Sequence, residues 1–311
     1  MWADANQERT PRVLLATAEG SWDTDEDAGE LTSALDARDI PNAPAVWTDP
    51  RIRWDDAELV VVRSTWDYAP RRDDFVSWAH RVQRGTRLAN PAAVIQWNTD
   101  KAYLGELAEA GFPAVPTEFV EPGRANLLPS VLRTVAEAGE FVVKPSVSAG
   151  SKDTGRFRPD EMDRALRLAD AISTGGRTVM VQPYLASVDS EGETGLVYFD
   201  GEFSHAFNKA RMLAPGADPE PGLYAPERIN PSDTEGVQHR LAEGLLEFVE
   251  GTLGDSLRGS PLLYARVDLV ADDSGRPVLM ELELTEPSWF LATDPASPGR
   301  AAAAIAARLG H

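Results

Sequence analysis

Short apolar runs alternate along this chain with amphipathic stretches. "RVLLAT" (12–17) and "LVVVR" (59–63) are continuous Val/Leu runs, the pattern of strands buried on both faces of a parallel sheet. Between them "DAGELTSALDAR" has helical periodicity and "AVW" is a short strand, so the chain opens β-α-β, and a helix follows near 72–84. In "WNTDKAYLGELAEAGFPAVPT", Asn98 or Thr99 is placed to cap a helix, Gly111 suits its C′ position and Pro113 follows, which puts a domain boundary here. Residues 117–184 predict a strand, a helix, the strand "EFVVKP", a polar loop, a helix from Pro159-Asp160-Glu161 and the strand "TVMVQPYL". Strands near 194–200 and 202–208, a Pro/Gly-rich segment at 214–231, a helix near 235–251, two strands within 263–283 and an Ala-rich terminal helix complete the pattern. The expected architecture is α/β in three units: an N-terminal α/β domain (12–115), a central α+β unit (116–184) and a C-terminal α+β unit (185–309).

Composition narrows the chemistry. With 50 acidic and 30 basic residues the net charge is -20, which repels nucleic acid and anionic membrane and argues against both as partners. A polyanionic ligand would have to be held by local cations and a metal against this field. The absence of cysteine removes thiol catalysis, disulfides and cysteine-ligated zinc. "MWADANQERTPR" has no apolar core of a signal peptide, and the longest apolar run, "AAAAIAA", is too short to span a bilayer, so the chain reads as soluble and cytoplasmic.

Two segments carry chemistry. "FVVKPSVSAGSKDTGRF" (141–157) ends a strand on Lys144 and continues in small polar residues whose amides can turn toward phosphate, yet it lacks both the Walker A and the dinucleotide spacing. "LLYARVDLVADDSGRPVLMELELTEPS" alternates so that Arg266 and Asp268 share one face of a strand and Glu281 and Glu283 one face of the next, with Val278, Met280, Leu282 and Leu284 opposite. A two-residue turn at Ser274-Gly275, pairing Asp273 with Arg276, sets Asp268 against Glu281 and Arg266 against Glu283; a longer loop would shift that register. Like charges about 4.5 to 5.5 Å apart across a hairpin destabilise it, whereas a divalent cation reverses the sign. The plainer reading is an edge hairpin whose charged face meets water.

Taken with Lys101 and Lys209, these segments resemble the ATP-grasp superfamily from about residue 12 to 300. The resemblance implies that Lys101 of "NTDKAYL" and Lys144 bind nucleotide and that Ser148, Gly150 and Ser151 belong to a mobile loop folding over the phosphates. It implies that Pro183, Tyr184 and Leu185 present backbone to adenine, that Gln182 sits beside the base and that Asp189 holds the ribose. Lys209 and Arg211 are then cations of the C-terminal unit, Arg266 stabilises the acyl phosphate and the tetrahedral oxyanion, and Asp268, Glu281 and Glu283 bind metal. ATP and Mg²⁺ are the implied cofactors, with two ions expected and Mn²⁺ as a substitute. Many members carry Asn where this chain has Glu283, and Glu where it has Gln182. "RSTWDY", "NTDKAYL", "KPSVSAGSKDT" and "ELELTEPSWFL" together are similar to the branch that contains the cycloserine-forming O-ureido-serine cyclo-ligase.

"RSTWDY" lies beyond the carboxyl end of a buried strand, where open α/β sheets bind ligands. Arg63 is placed to clamp a substrate carboxylate, Asp67 to accept an ammonium, and Trp66 and Tyr68 to wall the pocket; the alternative is a domain-interface cluster with Arg63 paired to Asp67. The acidic loop "SWDTDEDAGE" could likewise attract an amine, but the expected reading is a solvated loop with Asp25 or Asp27 capping the next helix. His205, on the strand before Lys209, reads as structural, and 214–231 is a lid candidate. The expected function is an ATP-dependent ligase joining the carboxylate of an amino acid or analogue to an amine, with ring closure as one form, in a monomer or homodimer. The alternatives are a dipeptide or γ-glutamyl ligase, an ATP-grasp kinase, and a catalytically silent nucleotide sensor.

Overall fold

The computed structural model describes residues 11–150, 152–210 and 228–309. They form three sheets. The first is parallel, ordered β2-β1-β3-β4, and comprises β1 (Val13–Thr17), β2 (Asn42–Val46), β3 (Leu59–Val62) and β4 (Arg87–Ala89), with α1 (Ala28–Asp36) and α2 (Arg72–Gly85) as crossovers. Every residue of β1 and β3 is buried, which is why these strands read as unbroken apolar runs.

Two short helices follow, α3 (Ala92–Asn98) and α4 (Tyr103–Glu109). Asn98 therefore ends a helix instead of capping one, and its amide group bridges the Leu282 carbonyl and the Leu284 amide. The sequence placed 92–109 in the N-terminal unit, but Val94, Tyr103, Leu104 and Leu107 pack into the core beneath the C-terminal sheet.

The second sheet is antiparallel, ordered β5-β8-β6-β7: β5 (Glu118–Val120), β6 (Phe141–Pro145), β7 (Gly155–Phe157) and β8 (Val179–Pro183), covered by α5 (Leu128–Ala136) and α6 (Met162–Thr174). The strand β7 lies inside the stretch read as a polar loop. Its Gly155 has no substitute without movement, because a Cβ there would stand 2.6 Å from the Phe157 ring.

The third sheet is ordered β11-β10-β9-β12-β13. It contains β9 (Glu193–Phe199), β10 (Glu202–Lys209), β11 (Ile229–Pro231), β12 (Tyr264–Ala271) and β13 (Pro277–Glu283), with α7 (Ser187–Ser190) and α8 (Gly236–Leu257). The last helix, α9 (Ser297–Arg308), returns to α1, where Ala301 and Ile305 share a core with Leu31 and Leu35.

The β12–β13 hairpin has the expected charged pairs, Arg266 opposite Glu283 and Asp268 opposite Glu281, by a different route. Its loop is longer than two residues: the Asp272 amide donates to the Arg276 carbonyl, and the Asp272 carboxylate accepts from the Ser274 and Arg276 amides. The resulting one-residue shift is cancelled by a bulge, since Leu269 pairs with Leu279 while Asp268 pairs with Glu281, leaving Met280 unpaired. The bulge also overturns part of the predicted alternation. Leu279, Leu282 and Leu284 enter the core, whereas Val278 and Met280 pack with Val115, Val188, Tyr184 and Leu185.

Candidate active site

A cavity of about 650 Å³ opens where the three sheets meet, walled by β13, the end of β6, the segment after β8, and the loops after β1 and β3. Its apolar part is a slot between Val115, Val142, Val188, Met280 and Leu282, edged by Gln182, Pro183, Tyr184 and Leu185. The flipped Met280 supplies one face of that slot, so the bulge is what shapes it. The Tyr184 amide is bonded to the Glu140 carbonyl at 2.7 Å, and Gln182 donates to Thr117 Oγ1 at 2.8 Å. Asp189 departs from its expected ribose role: Arg156 takes both of its oxygens at 2.9 Å while stacking 3.5 Å over the Tyr184 ring, and Asp189 does not line the cavity.

Beyond the slot the wall is cationic. Lys101, at the turn before α4, sends Nζ to the Ser148 carbonyl at 2.9 Å and to Glu281 Oε1 at 3.1 Å. Burial opposes its charge, but Glu281 holds its pKa above the usual lysine value. Lys209, at the end of β10, pairs with Glu193 Oε2 at 3.2 Å. Lys144 projects from β6 between them, and its pKa is lowered by burial and by Lys101 and Lys209, against the pull of Glu281. Burial and the two neighbouring lysines make Lys144 the cation of this wall whose charge an anion entering the cavity would relieve. Ser148 and Gly150 line the same wall. Ser151, Arg211 and residues 214–227 of the lid candidate lie outside the described residues.

Facing the lysines are Glu281, Glu283 and Glu286. Burial and the neighbouring carboxylates push Glu283 up to about 8, although Arg266 opposes this. Burial raises Glu286 to about 7 against the pull of Lys101. Glu281 lies low, at about 2, because Lys101 and Lys144 outweigh its burial. Asp268 leaves the expected metal trio: Arg266 chelates it with Nε and Nη2 at 2.9 Å, and it lies behind the cavity wall. Arg266 also bonds Glu283 and, at 2.9 Å, the Ser288 carbonyl, so its first role is counter-charge to this wall. Among the described residues no three His, Cys, Asp or Glu side chains gather as a metal cluster. Glu281 and Glu283 nevertheless fit a hard divalent ion, because Mg²⁺ usually takes one or two carboxylates and completes its shell with phosphate oxygens and water. The repulsion that raises Glu283 is the charge such an ion offsets.

On the substrate side Trp66 and Tyr68 line the cavity as the sequence predicted. Arg63 and Asp67 do not. The Arg63 guanidinium, 1% exposed, bonds Asp27 at 2.9 Å, Asp25 at 3.4 Å and the Pro287 carbonyl at 3.1 Å, and lies 3.7 Å over the Trp289 ring. Asp27 in turn accepts from the Trp289 and Leu291 amides, so it ties two loops together instead of capping α1. Asp67 accepts from Trp47 Nε1 at 2.7 Å and pairs with Arg71. His205 is structural: its Nε2 meets the Trp289 carbonyl at 2.7 Å and Nδ1 the Ser204 hydroxyl.

Sequence reasoning missed Glu286, Glu193 and Glu19, and it preferred a solvated loop for the segment of Thr24 and Glu26, which lines the cavity. Glu286 follows the end of β13, where strand alternation no longer says which way a side chain points. The Tyr68 hydroxyl donates to its carboxylate and Trp66 Nε1 to its carbonyl at 3.2 Å, so "RSTWDY" contributes by holding an acid from elsewhere. Glu193 was hidden, since the tight β9–β10 connection by itself would set Gly192 opposite Lys209, and a bulge between Phe203 and His205 shifts the register to Glu193.

Three sheets closing on one cavity, a lysine wall facing a carboxylate hairpin, and an apolar slot beside the strand β8 define an ATP-grasp ligase, an ATP-dependent enzyme that forms C–N bonds. Residues 13–90 match the family model described as D-cycloserine synthetase DcsG, N-terminal domain. The chain is 37% identical over 300 residues to the cycloserine biosynthesis protein DcsG of Streptomyces lavendulae, covering 96% of this chain and 98% of that one. The crystal structure of D-cycloserine synthetase DcsG superposes with a TM-score of 0.88 at 35% identity, over 96% of this chain and 99% of that one. At the level of fold alone, the ATP-grasp ligase PsnB, complexed with a precursor variant, Mg and ADP, gives 0.62 at 17% identity, over 96% and 98% of the two chains. The chain belongs to the DcsG family.

Proposed function

We propose that this enzyme uses ATP to convert the carboxylate of an amino-acid analogue into an acyl phosphate and closes it on the substrate's own nitrogen, forming a cyclic amide. The observation that carries the reading is the continuity of one segment: residues 281–288 place Glu281 against Lys101 and Glu286 against Tyr68, so nucleotide and substrate walls meet without a gap. The likeness to DcsG along the whole chain favours ring closure over joining two amino acids.

In this mechanism the nucleotide base occupies the slot behind Leu185 and Met280, and Lys101, Lys144 and Lys209 draw the β- and γ-phosphates toward the carboxylate hairpin. A substrate carboxylate oxygen attacks the γ-phosphorus, ADP leaves with the bonding electron pair, and the nitrogen then attacks the acyl carbon, expelling phosphate and losing its proton. Glu281 and Glu283 would hold Mg²⁺, in two ions and replaceable by Mn²⁺, which supplies charge neutralisation to the phosphates. Glu286 takes the role first assigned to Asp67, receiving a substrate ammonium, and Arg266 stabilises the acyl oxygen from behind Glu283. The enzyme acts in the cytoplasm as a monomer or homodimer; among the described residues no helix is long and apolar enough to cross a membrane.

The deciding experiment measures Mg²⁺-dependent ADP and phosphate release with O-ureido-D-serine alone, then with pairs of amino acids. Release from the single substrate, with a cyclic product, is expected. An obligatory second amine would instead favour a dipeptide or γ-glutamyl ligase, a stable phosphoester a kinase, and absence of ADP with every substrate a silent sensor.

Two variants test the walls separately. Lys144→Met removes one charge-assisted contact of about 1.5 to 3 kcal/mol and should weaken ATP binding roughly ten- to a hundredfold, measured by calorimetry; unchanged affinity removes Lys144 from the site. Glu286→Gln should raise the KM of the amine-bearing substrate roughly tenfold, for the loss of about 1.4 kcal/mol of charge pairing, with ATP affinity nearly intact. Equal damage to both affinities would place Glu286 on the nucleotide instead.

A further inference from the structure

A second cleft, of about 480 Å³, shares no residue with the catalytic cavity. One wall comes from the turn between α2 and β4 in the N-terminal domain, and the other from the end of α8, the segment leading into β12, and α9. In a chain with 50 acidic and 30 basic residues a concave surface should be lined mostly by carboxylates. This one has four arginines, Arg84, Arg87, Arg258 and Arg308, and no aspartate or glutamate. Arg308 is already paired with Asp200 and the Pro261 carbonyl. Arg84 and Arg258 are exposed and make no side-chain hydrogen bond or ion pair among the described residues. Arg258 also occupies the left-handed position that ends α8, at φ 54°, where glycine is the usual residue. Arg258 lines the cleft from a helix end whose amide is fixed to the Gly254 carbonyl at 3.1 Å. Leu257, Pro261 and Leu263 form an apolar floor between the cations.

We propose that this cleft is a second ligand site, for a small phosphorylated organic anion whose charged end is held by Arg84 and Arg258 and whose apolar part lies on the Leu257–Leu263 floor. Planar guanidinium forks match phosphate oxygens bidentately, and of the carboxylates beside the cleft Glu58 is paired with Arg12 and Asp200 with Arg308. The two cations belong to different parts of the fold, Arg84 to α2 and Arg258 to the end of α8, so an occupant bridges the N-terminal domain to the C-terminal sheet. The site is independent of the ligase chemistry, and its ligand is separate from the ATP turned over.

The test uses inorganic pyrophosphate as probe, titrated by calorimetry at constant ionic strength without divalent metal into the full-length wild type, Lys144→Met and Arg84→Ala/Arg258→Ala. Two classes of site are expected in the wild type. Lys144→Met should weaken the class belonging to the catalytic cavity and keep the other, while the double arginine variant should lose the other by at least tenfold and retain basal ADP release. A single class in the wild type, lost only in Lys144→Met, overturns the proposal. So does a second class that survives the double substitution. Light scattering of the same samples completes the test: if the double variant changes oligomeric state and leaves pyrophosphate binding unaltered, the cleft is a contact between copies and the proposal fails.

Discussion

Replacing Glu283 by glutamine is expected to raise the melting temperature of the ligand-free enzyme and to cut turnover by roughly a hundred- to a thousandfold, the scale seen when a preorganised electrostatic contact to the reacting centre is removed. Both effects follow from one arrangement. Glu283 shares a buried wall with Glu281, Glu286 and Asp268, and the Arg266 that faces it is already chelated to Asp268. Arg266 bonds Glu283 as well but is shared with Asp268, so burial and the neighbouring carboxylates still hold the charge of Glu283 at a net cost in the ligand-free protein. The pH dependence follows from the sign of its shift. A carboxyl raised from 4.5 to about 8 in the folded state favours folding fully below 4.5, and that contribution is lost as pH climbs through 8. The stability gained by Glu283→Gln should accordingly be small near pH 4.5, grow with pH and level off above 8. Glu281 is a poorer choice for this experiment, since its pairing with Lys101 at 3.1 Å makes its removal destabilising in itself. Melting curves with and without Mg·ATP, with ADP release alongside, decide the matter. A variant that melts lower and still turns over would make the hairpin a structural ion network and sink the metal assignment.

Arg63→Ala should lower folding stability by about 3 to 5 kcal/mol, because it leaves Asp25 and Asp27 as buried carboxylates without their cation. The Pro287 carbonyl and the Trp289 face lose their partner as well. Arg63→Lys keeps the charge but not the planar fork, and should fall between wild type and alanine. In the folded fraction of either variant, KM values for ATP and substrate should change little, since the guanidinium does not reach the cavity. Denaturant midpoints and initial-rate kinetics separate the possibilities: a raised substrate KM at unchanged stability would restore the substrate clamp that "RSTWDY" suggested.

These two residues show where reading a sequence succeeds and where it stops. Strand alternation put Glu281 and Glu283 on one face of β13, and the structure keeps them there, because period-two geometry is local and the apolar partners Leu282 and Leu284 have only one core to enter. The lysines were legible for a similar reason. Lys101 and Lys144 sit at element ends, where a side chain leaves the packed interior and can reach a ligand. Even the charged register was anticipated, but through two compensating errors, a turn drawn too short and a bulge at Met280 that nothing in the local pattern announces.

What the sequence determined by itself is therefore what depends on neighbours a few residues away: the order and type of most elements, the buried strands β1 and β3, and the faces on which the lysines and glutamates stand, while the class of chemistry came from the resemblance of its motifs to the ATP-grasp superfamily. Only the tertiary structure decided which partner each charge meets. Arg63 and Asp67 stand at the mouth of a strand where a substrate site is expected, yet Asp25 and Asp27 on the loop after β1, Trp47 after β2 and Arg71 before α2 reach them first. Asp268 is withdrawn from the metal face by Arg266 two residues before it, and Glu286 is brought in by Tyr68 from more than two hundred positions away. A buried charge takes whichever counter-charge the fold brings within reach, and that competition is settled between segments distant in the chain, where no periodicity records it.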